Sequence, residues 1–355
     1  MKIEDFYCKN FRNIEELLLS PDDGMNVIYG DNANGKTNII EGIWLFTGAK
    51  SFRTKTDSAF VKIGSRKAEL SLNFFSSGIK KEAKIEIENR RTALLNENTL
   101  SSPSMLAGEF NAVIFSPSDL EIIGGAPAMR RNFTDIAIGQ LYPSFISSLR
   151  NYKRAVIQRN KIIKDFKFDG SISFMLEAFE KEIAENGRKI INARKKFLEL
   201  LKNYLTDIYS GLSSGKEELC AEYISNCKEE ELEEKLNLSR KEDMFSGITT
   251  VGPHRDDIVF KINGISVRTY GSQGQKRSAA LALKLSQAEV IKKITGEYPV
   301  CLLDDVMSEL DPGRQNYVLN HIKDMQSFIT CCDPSNVKNL KNGKIFRIEN
   351  GSVKN

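Results

Sequence analysis

The sequence has few of the residues that metal centres and membrane spans require. It contains six cysteines, none in a C-x-x-C pair, and only two histidines among 355 residues. A zinc site is therefore not expected, and scattered reduced thiols in a reducing compartment explain the cysteines. No run of about 18 apolar residues occurs, and Met1–Asp5 contains no apolar signal segment. We therefore expect a cytoplasmic protein with no membrane partner.

Neither charge sign dominates the chain, whose net charge is +4, and no internal repeat or low-complexity segment is visible. The charges are nevertheless unevenly placed. Tyr142–Leu205 holds 14 basic and 7 acidic residues, whereas Thr206–Phe245 holds 11 acidic and 5 basic ones. A solvated helical face is the ordinary explanation for such runs, although an uneven field can also steer a partner.

Apolar patterns predict an α/β protein whose middle section is helical. Apolar residues recur at three- and four-residue steps over Met129–Leu205, and a second long helix is predicted at Gln273–Thr295. Strands are predicted on either side of the helical section, at Gly24–Tyr29, Glu69–Phe75, Ala83–Glu88, Asn111–Phe115, Ile248–Val251, Asp257–Ile262, Val300–Leu303 and Phe328–Cys331.

A glycine-rich loop provides the clearest chemical signal. The run Gly30-Asp31-Asn32-Ala33-Asn34-Gly35-Lys36-Thr37 matches G-x-x-x-x-G-K-[ST] and stands between an apolar strand and a helical pattern. Glycines let the backbone wrap a polyphosphate with its N–H groups, and the following helix presents its positive N-terminus. Lys36 is the candidate for the β- and γ-phosphates of ATP, and Thr37 is a candidate Mg²⁺ ligand.

An apolar strand that ends in two acids supplies the expected second half of such a site. Val300–Leu303 is followed by Asp304 and Asp305. Asp304 is predicted to complete the Mg²⁺ shell together with Thr37. Asp305 is predicted to orient or deprotonate the attacking water. Lys36, Asp304 and Asp305 are therefore the predicted catalytic residues.

A third polar segment precedes the long helix. Ser272, Gly274 and Gln275 lie where a helix N-terminus can bind an anion. An ordinary N-cap is the alternative for this segment by itself. A second phosphate-binding helix start in one chain favours closure over the γ-phosphate of ATP bound to another subunit.

Two further sets of residues are candidates for contact with DNA, each with a structural alternative. Basic residues recur near helical spacing and can form a phosphate-contacting face, namely Arg150, Lys153, Arg154, Arg159 and Lys161. A solvated face explains them equally well. His254 and Arg255 lie in a polar turn that either contacts DNA or a dimer partner or is packed between strands. No motif that recognises DNA bases is present, so contacts with the phosphate backbone of DNA should dominate.

Segments spread over residues 2–311 resemble ABC-type ATPases, which include SMC heads, and more closely the RecF family of bacterial recombination mediators. Ser272–Gln275 is similar to the ABC signature motif, and Ser308–Asp311 to the D-loop. The segments that resemble the RecF family are Asn10–Asn13, Gly30–Thr37, Ser116–Leu120, Gly124–Pro127, Arg130-Arg131, Gln158–Asn160, Gly252–Asp257, Tyr270–Gln275, Leu303–Val306 and Ser308–Asp311.

The resemblance implies an α/β fold, an ABC-type P-loop ATPase head with an inserted α-helical arm domain. We predict a first ATPase part at 1–116, the arm at 117–245 and a second ATPase part at 246–355. The resemblance also implies an ATP-dependent head-to-head homodimer, with ATP between Gly30–Thr37 of one subunit and Ser272 of the other. Further implied are binding to duplex or gapped DNA, slow hydrolysis, and cooperation with RecO and RecR in DNA replication, repair and the SOS response.

Two departures from the wider ABC pattern favour a slow switch. Asp305 stands where ABC ATPases have a glutamate, which is one methylene longer, and Cys331 stands where many have a switch histidine.

The main alternative is an ABC-type ATPase subunit that energises a non-DNA process such as transport. The long helical section and the missing histidine argue against it. An SMC-like structural head lacks a sufficient heptad run here, and a plain P-loop kinase does not need Ser272–Gln275.

Overall fold

The computed structural model describes residues 1–54, 56–165, 173–333 and 343–354. Residues 166–172, which belong to the predicted helical section, lie outside the described part. The chain divides into two compact units. Unit 1 is Met1–Asp119, Ile208–Gly215 and Ala280–Asn355, and unit 2 is Leu120–Asp207 and Lys216–Ala279. No described helix combines the length and the apolar character that a membrane span needs.

The described strands are, in chain order, β1 (Lys2–Phe11), β2 (Ile14–Leu19), β3 (Met25–Tyr29), β4 (Ala68–Ser76), β5 (Ile79–Ile87), β6 (Arg91–Leu95), β7 (Asn98–Thr99), β8 (Ala112–Phe115), β9 (Leu219–Ile224), β10 (Asp257–Ile262), β11 (Ile265–Ser266), β12 (Val300–Asp304), β13 (Ser327–Cys331), β14 (Gly343–Glu349) and β15 (Ser352–Lys354).

The described α-helices are α1 (Lys36–Leu45), α2 (Leu120–Gly124), α3 (Pro127–Leu141), α4 (Pro143–Asp165), α5 (Ser173–Leu212), α6 (Leu232–Leu238), α7 (Arg240–Ser246), α8 (Val267–Tyr270), α9 (Gln273–Thr295) and α10 (Pro312–His321). Short 3-10 helices occur at Asp57–Phe60, Pro103–Leu106, Pro117–Asp119 and Met307–Glu309.

A mostly parallel sheet forms the centre of unit 1. Its strand order is β15-β14-β3-β13-β12-β8, and only the β14–β15 pairing is antiparallel. Every residue of β8, β12 and β13 is buried. Strands covered on both faces need such continuous apolar runs, which is why short apolar segments in the sequence become parallel strands.

An antiparallel sheet forms the second layer of unit 1, in the order β2-β1-β4-β5-β6-β7. Along β4 buried and less buried residues alternate, as expected when one face of a sheet meets water. Ser77 and Gly78 both have positive φ values, 50° and 76°, in the turn that joins β4 to β5. Such two-residue turns match the twist of a hairpin.

Helix α1 fills the space between these two sheets. It contacts β12 and β13 on one side and β1 on the other. Gly42 is required at the close approach, because a Cβ there would lie 2.7 Å from the Phe6 ring and 3.1 Å from Leu70 Cδ2. The apolar face predicted for this helix is buried, including Ile39 and Ile43. The helix that begins at the glycine-rich loop is thus held on two sides.

Unit 2 combines α2–α4, most of α5 and α6–α8 with a three-stranded antiparallel sheet, β11-β10-β9. The hairpin predicted at Asn263-Gly264 is present, with φ values of 47° and 81°. Strand β9, which pairs with β10 along its whole length, was not predicted from the sequence. Unit 2 also holds residues 246–279, which were assigned to the second ATPase part. The division of the chain into ATPase parts and an arm at 117–245 stays a prediction.

The strand predicted at Ile248–Val251 is wrong. The segment is irregular because side chains bind its backbone in place of a neighbouring strand. Asn160 Oδ1 accepts from the Thr249 N–H at 2.7 Å, and Asp243 Oδ1 accepts from the Thr250 N–H at 2.8 Å. Local side-chain acceptors of this kind compete with sheet formation.

Arg159 is the centre of a buried charge cluster in unit 2, and its assignment to a DNA-contacting face is wrong. Its side chain is fully buried. It donates to Glu180 Oε1 at 3.0 and 3.2 Å, to Asp243 Oδ2 at 2.6 Å and to Thr249 Oγ1 at 3.0 Å. Both carboxylates are buried as well. The guanidinium therefore compensates two buried anions and ties α4, α5 and α7 together.

Replacing Arg159 with Ala should destabilise unit 2 strongly. The change leaves Asp243 buried without Arg159 as its cation, while Glu180 keeps its pair with Arg240, and breaking a buried ion pair typically costs about 3–5 kcal/mol. Urea unfolding followed by circular dichroism measures the loss. The control is Lys161→Ala, because this exposed residue lies on the same helix and should change stability by less than about 0.5 kcal/mol. Equal effects of the two substitutions would contradict the assigned role.

Candidate nucleotide-binding site

The glycine-rich loop Gly30–Thr37 connects β3 to α1 inside unit 1. Gly30 has a φ of 151°, and a Cβ there would lie 2.3 Å from the carbonyl oxygen of Ile348. Gly35 has a φ of 104°, and a Cβ there would lie 2.9 Å from Asn13 Oδ1. At Gly30 both the backbone conformation and the Ile348 carbonyl exclude other residue types, whereas at Gly35 the positive φ disfavours them. The loop therefore has the tight path that a phosphate cradle needs.

Lys36 opens α1 with its side chain folded back over the loop. The Nζ atom donates to the carbonyl oxygens of Gly30 at 2.6 Å and Asp31 at 3.0 Å. The side chain is only 8% exposed. A buried ammonium that is held by two carbonyl groups at a helix N-terminus lies where a polyphosphate would bind.

Asp304 joins the ends of three elements at one point. Its Oδ1 accepts from Thr37 Oγ1 at 2.8 Å and from Thr330 Oγ1 at 2.9 Å. The carboxyl is 5% exposed, and this burial raises its pKa, an effect that the two hydroxyl donors and nearby Arg53 oppose. The Thr37 hydroxyl and the buried Asp304 carboxylate lie side by side, and Mg²⁺ prefers oxygen ligands of this kind. The residues present thus fit a magnesium–nucleotide complex.

Asp305 follows in a left-handed backbone conformation with a φ of 54°. Its N–H donates to Thr330 Oγ1 at 2.9 Å, and its Oδ1 accepts from Ser308 Oγ at 3.2 Å. Its side chain is exposed. Non-glycine residues in this conformation carry strain that surrounding contacts must hold. The structure therefore places the second acid at the end of the acidic strand, accessible to solvent.

A polar network beside the loop contains residues that the sequence analysis did not single out as site residues. Asn13 Nδ2 donates to the Ala33 carbonyl at 2.9 Å, and Asn13 Oδ1 accepts from Asn38 at 2.7 Å. Arg53 Nη1 donates to Asn38 Oδ1 at 2.7 Å and lies 3.6 Å from buried Glu41. Nothing in the local sequence marks Arg53, because its partners come from a helix that begins elsewhere in the chain.

The segment predicted as a second anion site lies in unit 2, at the start of α9. Ser272 Oγ accepts from the Gln275 N–H at 3.2 Å, and Gln275 Oε1 accepts from the Ser272 N–H at 2.8 Å. Gln275 Nε2 also donates to Glu217 Oε1 at 2.7 Å. This reciprocal pairing is a capping box, so the N-cap alternative describes the local structure. Ser272 is exposed, and its role toward another subunit stays a prediction.

His254 in the Gly-Pro-His-Arg turn is part of the internal structure of unit 2. Its Nδ1 lies 2.5 Å from Tyr152 Oη, and its Nε2 lies 3.0 Å from the Thr249 carbonyl oxygen. Burial lowers the pKa of His254 to about 4, so the ring is neutral at pH 7. Arg255 is exposed and donates to the same carbonyl at 3.0 Å. The packed-turn alternative therefore describes His254, while Arg255 remains accessible.

The other basic residues proposed for DNA contact are exposed along α4, namely Arg150, Lys153, Arg154 and Lys161. Without Arg159 the predicted face keeps four of its five members. The exposure of these residues fits both a phosphate-contacting face and a solvated one, so DNA contact stays a prediction.

Replacing Asp304 with Asn should stabilise the nucleotide-free protein at pH 7. The raised pKa means that the folded state binds a proton more tightly than the unfolded chain, so ionisation of Asp304 opposes folding above that pKa. The gain should vanish as pH falls through the folded-state pKa toward the ordinary value of 3.8. Urea titrations in EDTA at several pH values measure it.

The control for this measurement is Asp305→Asn. Asp305 is exposed, and Asn tolerates the same left-handed backbone, so stability should change little at any pH. A lower stability of the Asp304→Asn variant at pH 7 would mean that the carboxylate is well compensated in the fold.

Comparisons with known proteins agree with this geometry. The family model described as the RecF/RecN/SMC N terminal domain matches residues 2–354. A "DNA replication and repair protein RecF" from Lachnospira eligens is 39% identical and covers 100% of this chain and 99% of its own length. A solved structure of "the recombination mediator protein RecF-ATPrS in RecFOR pathway" has a TM-score of 0.92 and 36% identity, covering 99% of this chain and 97% of its own.

A more distant structure, the Smc head domain from Pyrococcus furiosus, has a TM-score of 0.57 at 18% identity and covers 99% of this chain and 95% of its own. It shows the fold alone, which is the α/β ABC-type ATPase head that the motifs predicted. The names of the full-length relatives support the repair interpretation and not the transport alternative. Family model, relatives and structure agree over the whole length, and the chain therefore belongs to the RecF family.

Proposed function

We propose that this chain is an ATP-hydrolysing switch of DNA replication and repair, which binds duplex or gapped DNA as an ATP-dependent dimer. The observation that carries the proposal is the contact between Thr37 and Asp304 at 2.8 Å, which joins the glycine-rich loop to the acidic strand. Full-length relatives named "DNA replication and repair protein RecF" supply the biological setting.

Each residue of the site has a role in this proposal. The loop N–H groups and Lys36 bind the phosphates of ATP, and Thr37 and Asp304 hold Mg²⁺. Bound Mg²⁺ supplies positive charge that offsets the charge on the phosphoryl oxygens. Asp305 orients the attacking water and accepts its proton. Lys36 already lies over the loop, so little rearrangement is needed to receive an anion there.

Slow turnover is part of the proposal. Asp305 is one methylene shorter than the glutamate of ABC ATPases, and its backbone is held in a left-handed conformation. Cys331 occupies the position where many of these enzymes have a histidine, and it has no basic nitrogen to polarise a phosphate. ATP binding rather than rapid hydrolysis then drives the change of state.

Dimerisation completes the proposed site. The exposed Ser272 at the start of α9 reaches the γ-phosphate of ATP bound to the other subunit, as in ABC-type ATPases. The Ser272–Gln275 capping box holds the helix terminus in shape and leaves the face of Ser272 exposed. Two chains together then bind the phosphate backbone of DNA through the exposed basic residues of α4. They do so in cooperation with RecO and RecR.

Substitution of Lys36 by Ala should abolish nucleotide binding, because the phosphates lose their buried counter-charge. Substitution of Ser272 by Arg should leave binding to the monomer intact and block ATP-dependent dimerisation. Isothermal titration with ATP and analytical ultracentrifugation with and without ATP separate the two effects. A Ser272→Arg variant that still dimerises with ATP would falsify the head-to-head arrangement.

Binding of a labelled duplex should require ATP and weaken as salt rises. Fluorescence anisotropy with ATP, with ADP and without nucleotide at several salt concentrations measures both effects. Combined Ala substitution of the four exposed basic residues of α4 should lower the slope of log K against log salt by about 0.9 for each lost phosphate contact.

A charge-matched control removes four exposed lysines of α5, namely Lys181, Lys189, Lys196 and Lys202. This control should leave the salt slope nearly unchanged. An equal loss of salt slope for the two sets of substitutions would show a general charge effect instead of a binding face. Equal DNA binding with ATP, with ADP and without nucleotide would contradict the ATP-dependent switch.

A further inference from the structure

Unit 1 contains a cavity between the loop that follows α1 and the turn that joins β5 to β6. Its volume is about 340 Å³, within the range of small-molecule sites. Five of the residues that line it have side chains that can donate hydrogen bonds, namely Lys50, Thr54, Thr56, Asn89 and Arg91. None of the lining residues that the structure describes belongs to the loop Gly30–Thr37 or to α4, so the proposed function gives the cavity no role.

The charges that line the cavity favour an anion. Asp57 is the acid among the described lining residues, and its Oδ1 lies 2.9 Å from Arg91 Nε, so this carboxylate is already compensated. Lys50 is exposed and forms no ion pair with any residue that the structure describes. Glu88 in the β5–β6 turn is paired with Arg66 at 2.8 Å. A net positive charge therefore remains in the cavity, and Lys50 is the group that presents it.

Contacts within the chain hold the walls of the cavity in place. Arg91 Nη1 donates to the Ala49 carbonyl oxygen at 3.3 Å. Ser51 Oγ accepts from the backbone N–H groups of Arg53 and Thr54 at 2.9 and 3.0 Å, which fixes the path of the loop. A site that is formed in advance loses little conformational entropy when its ligand binds.

We propose that this cavity binds a phosphate ester of a nucleoside. Lys50 supplies the charge for the phosphate, while Thr54, Thr56 and Asn89 donate hydrogen bonds to the phosphate and to the sugar that carries it. An apolar ligand makes no use of these donors, and a cation is repelled by the net positive charge. A bare phosphate contacts only a few of the donors at once in a space of this size. A free nucleotide and one unit of a DNA strand present the same chemistry here.

Lysine footprinting on the full chain tests the proposal. An N-hydroxysuccinimide ester acylates exposed amines, and peptide mass spectrometry gives the rate at each lysine. We expect thymidine monophosphate or a thymidine oligonucleotide to slow the reaction at Lys50 by about tenfold when it is present at about ten times its Kd. Thymidine without a phosphate should not protect Lys50. Lys84 is the matched control, because it is also exposed and lies on β5.

Two substitutions separate the charge from the hydrogen bonds. Asn89→Ala should raise the ligand concentration that protects Lys50 by roughly two- to tenfold, as expected for one lost hydrogen bond. Where the oligonucleotide protects, Lys50→Ala should lower the slope of log K against log salt by about 0.7, whereas Asn89→Ala should leave it unchanged because an amide carries no charge. Both residues are exposed, so the fold should persist, and circular dichroism verifies it. Lys84→Ala should change neither quantity.

Protection by thymidine monophosphate assigns the cavity to free nucleotides, and protection by the oligonucleotide alone assigns it to a DNA strand. Either result supports the site. The site is wrong if neither compound protects Lys50, if thymidine protects it equally well, or if Lys50 and Lys84 are protected to the same extent. ATP binding at Gly30–Thr37 is measured separately, so failure of this site and failure of the proposed function are distinguishable.

Discussion

The hydrogen bond from Thr37 to Asp304 is the contact on which the candidate site depends. It joins the first turn of α1 to the end of β12, and Thr330 at the end of β13 donates to the same carboxylate oxygen. Three elements that are far apart in the chain thus converge on one buried acid. Two hydroxyl donors offset only part of the desolvation, and the pKa of Asp304 stays raised. The fold therefore buries the Asp304 carboxylate with incomplete compensation, and a bound cation would stabilise its charged form.

The strand order explains why the acid meets the loop. With β3, β13 and β12 side by side and parallel, the carboxyl ends of all three lie at one edge of the sheet, where open α/β folds bind ligands. The loop Gly30–Thr37 follows β3, Asp304 ends β12, and Thr330 lies near the end of β13. The phosphate cradle and the acid are therefore products of one topology.

Much of this arrangement could be predicted from the sequence, because local patterns carried it. The long helix Gln273–Thr295 has the predicted bounds, and the apolar runs before Gly30 and Asp304 became strands of the central sheet. The motifs of the loop and the acidic strand also pointed to the RecF family. In each case the residues that determine the structure are neighbours in the chain.

Failures occurred where distant partners decide the structure. Helical spacing could not show that Arg159 is buried, since its partners Glu180 and Asp243 lie 21 and 84 residues away. The β-branched run at Ile248–Val251 is bound by side chains and forms no strand. Likewise the closeness of Cys332 to Asn32, 300 residues away, has no local signature. Such pairings depend on the tertiary fold, so they cannot be inferred from a single sequence.

The C-terminal hairpin has a consequence for how the protein is made. Strand β14 lies directly beside β3, and the Asn350 N–H points at the side-chain oxygen of Asn34, 316 residues earlier. A ribosome that adds about 5–20 residues per second needs roughly 16–60 s to cover that span. Throughout this interval a nascent chain displays a glycine-rich loop without the strand that closes against it. The nucleotide site therefore cannot be completed until a strand that lies more than 300 residues after the loop has been made.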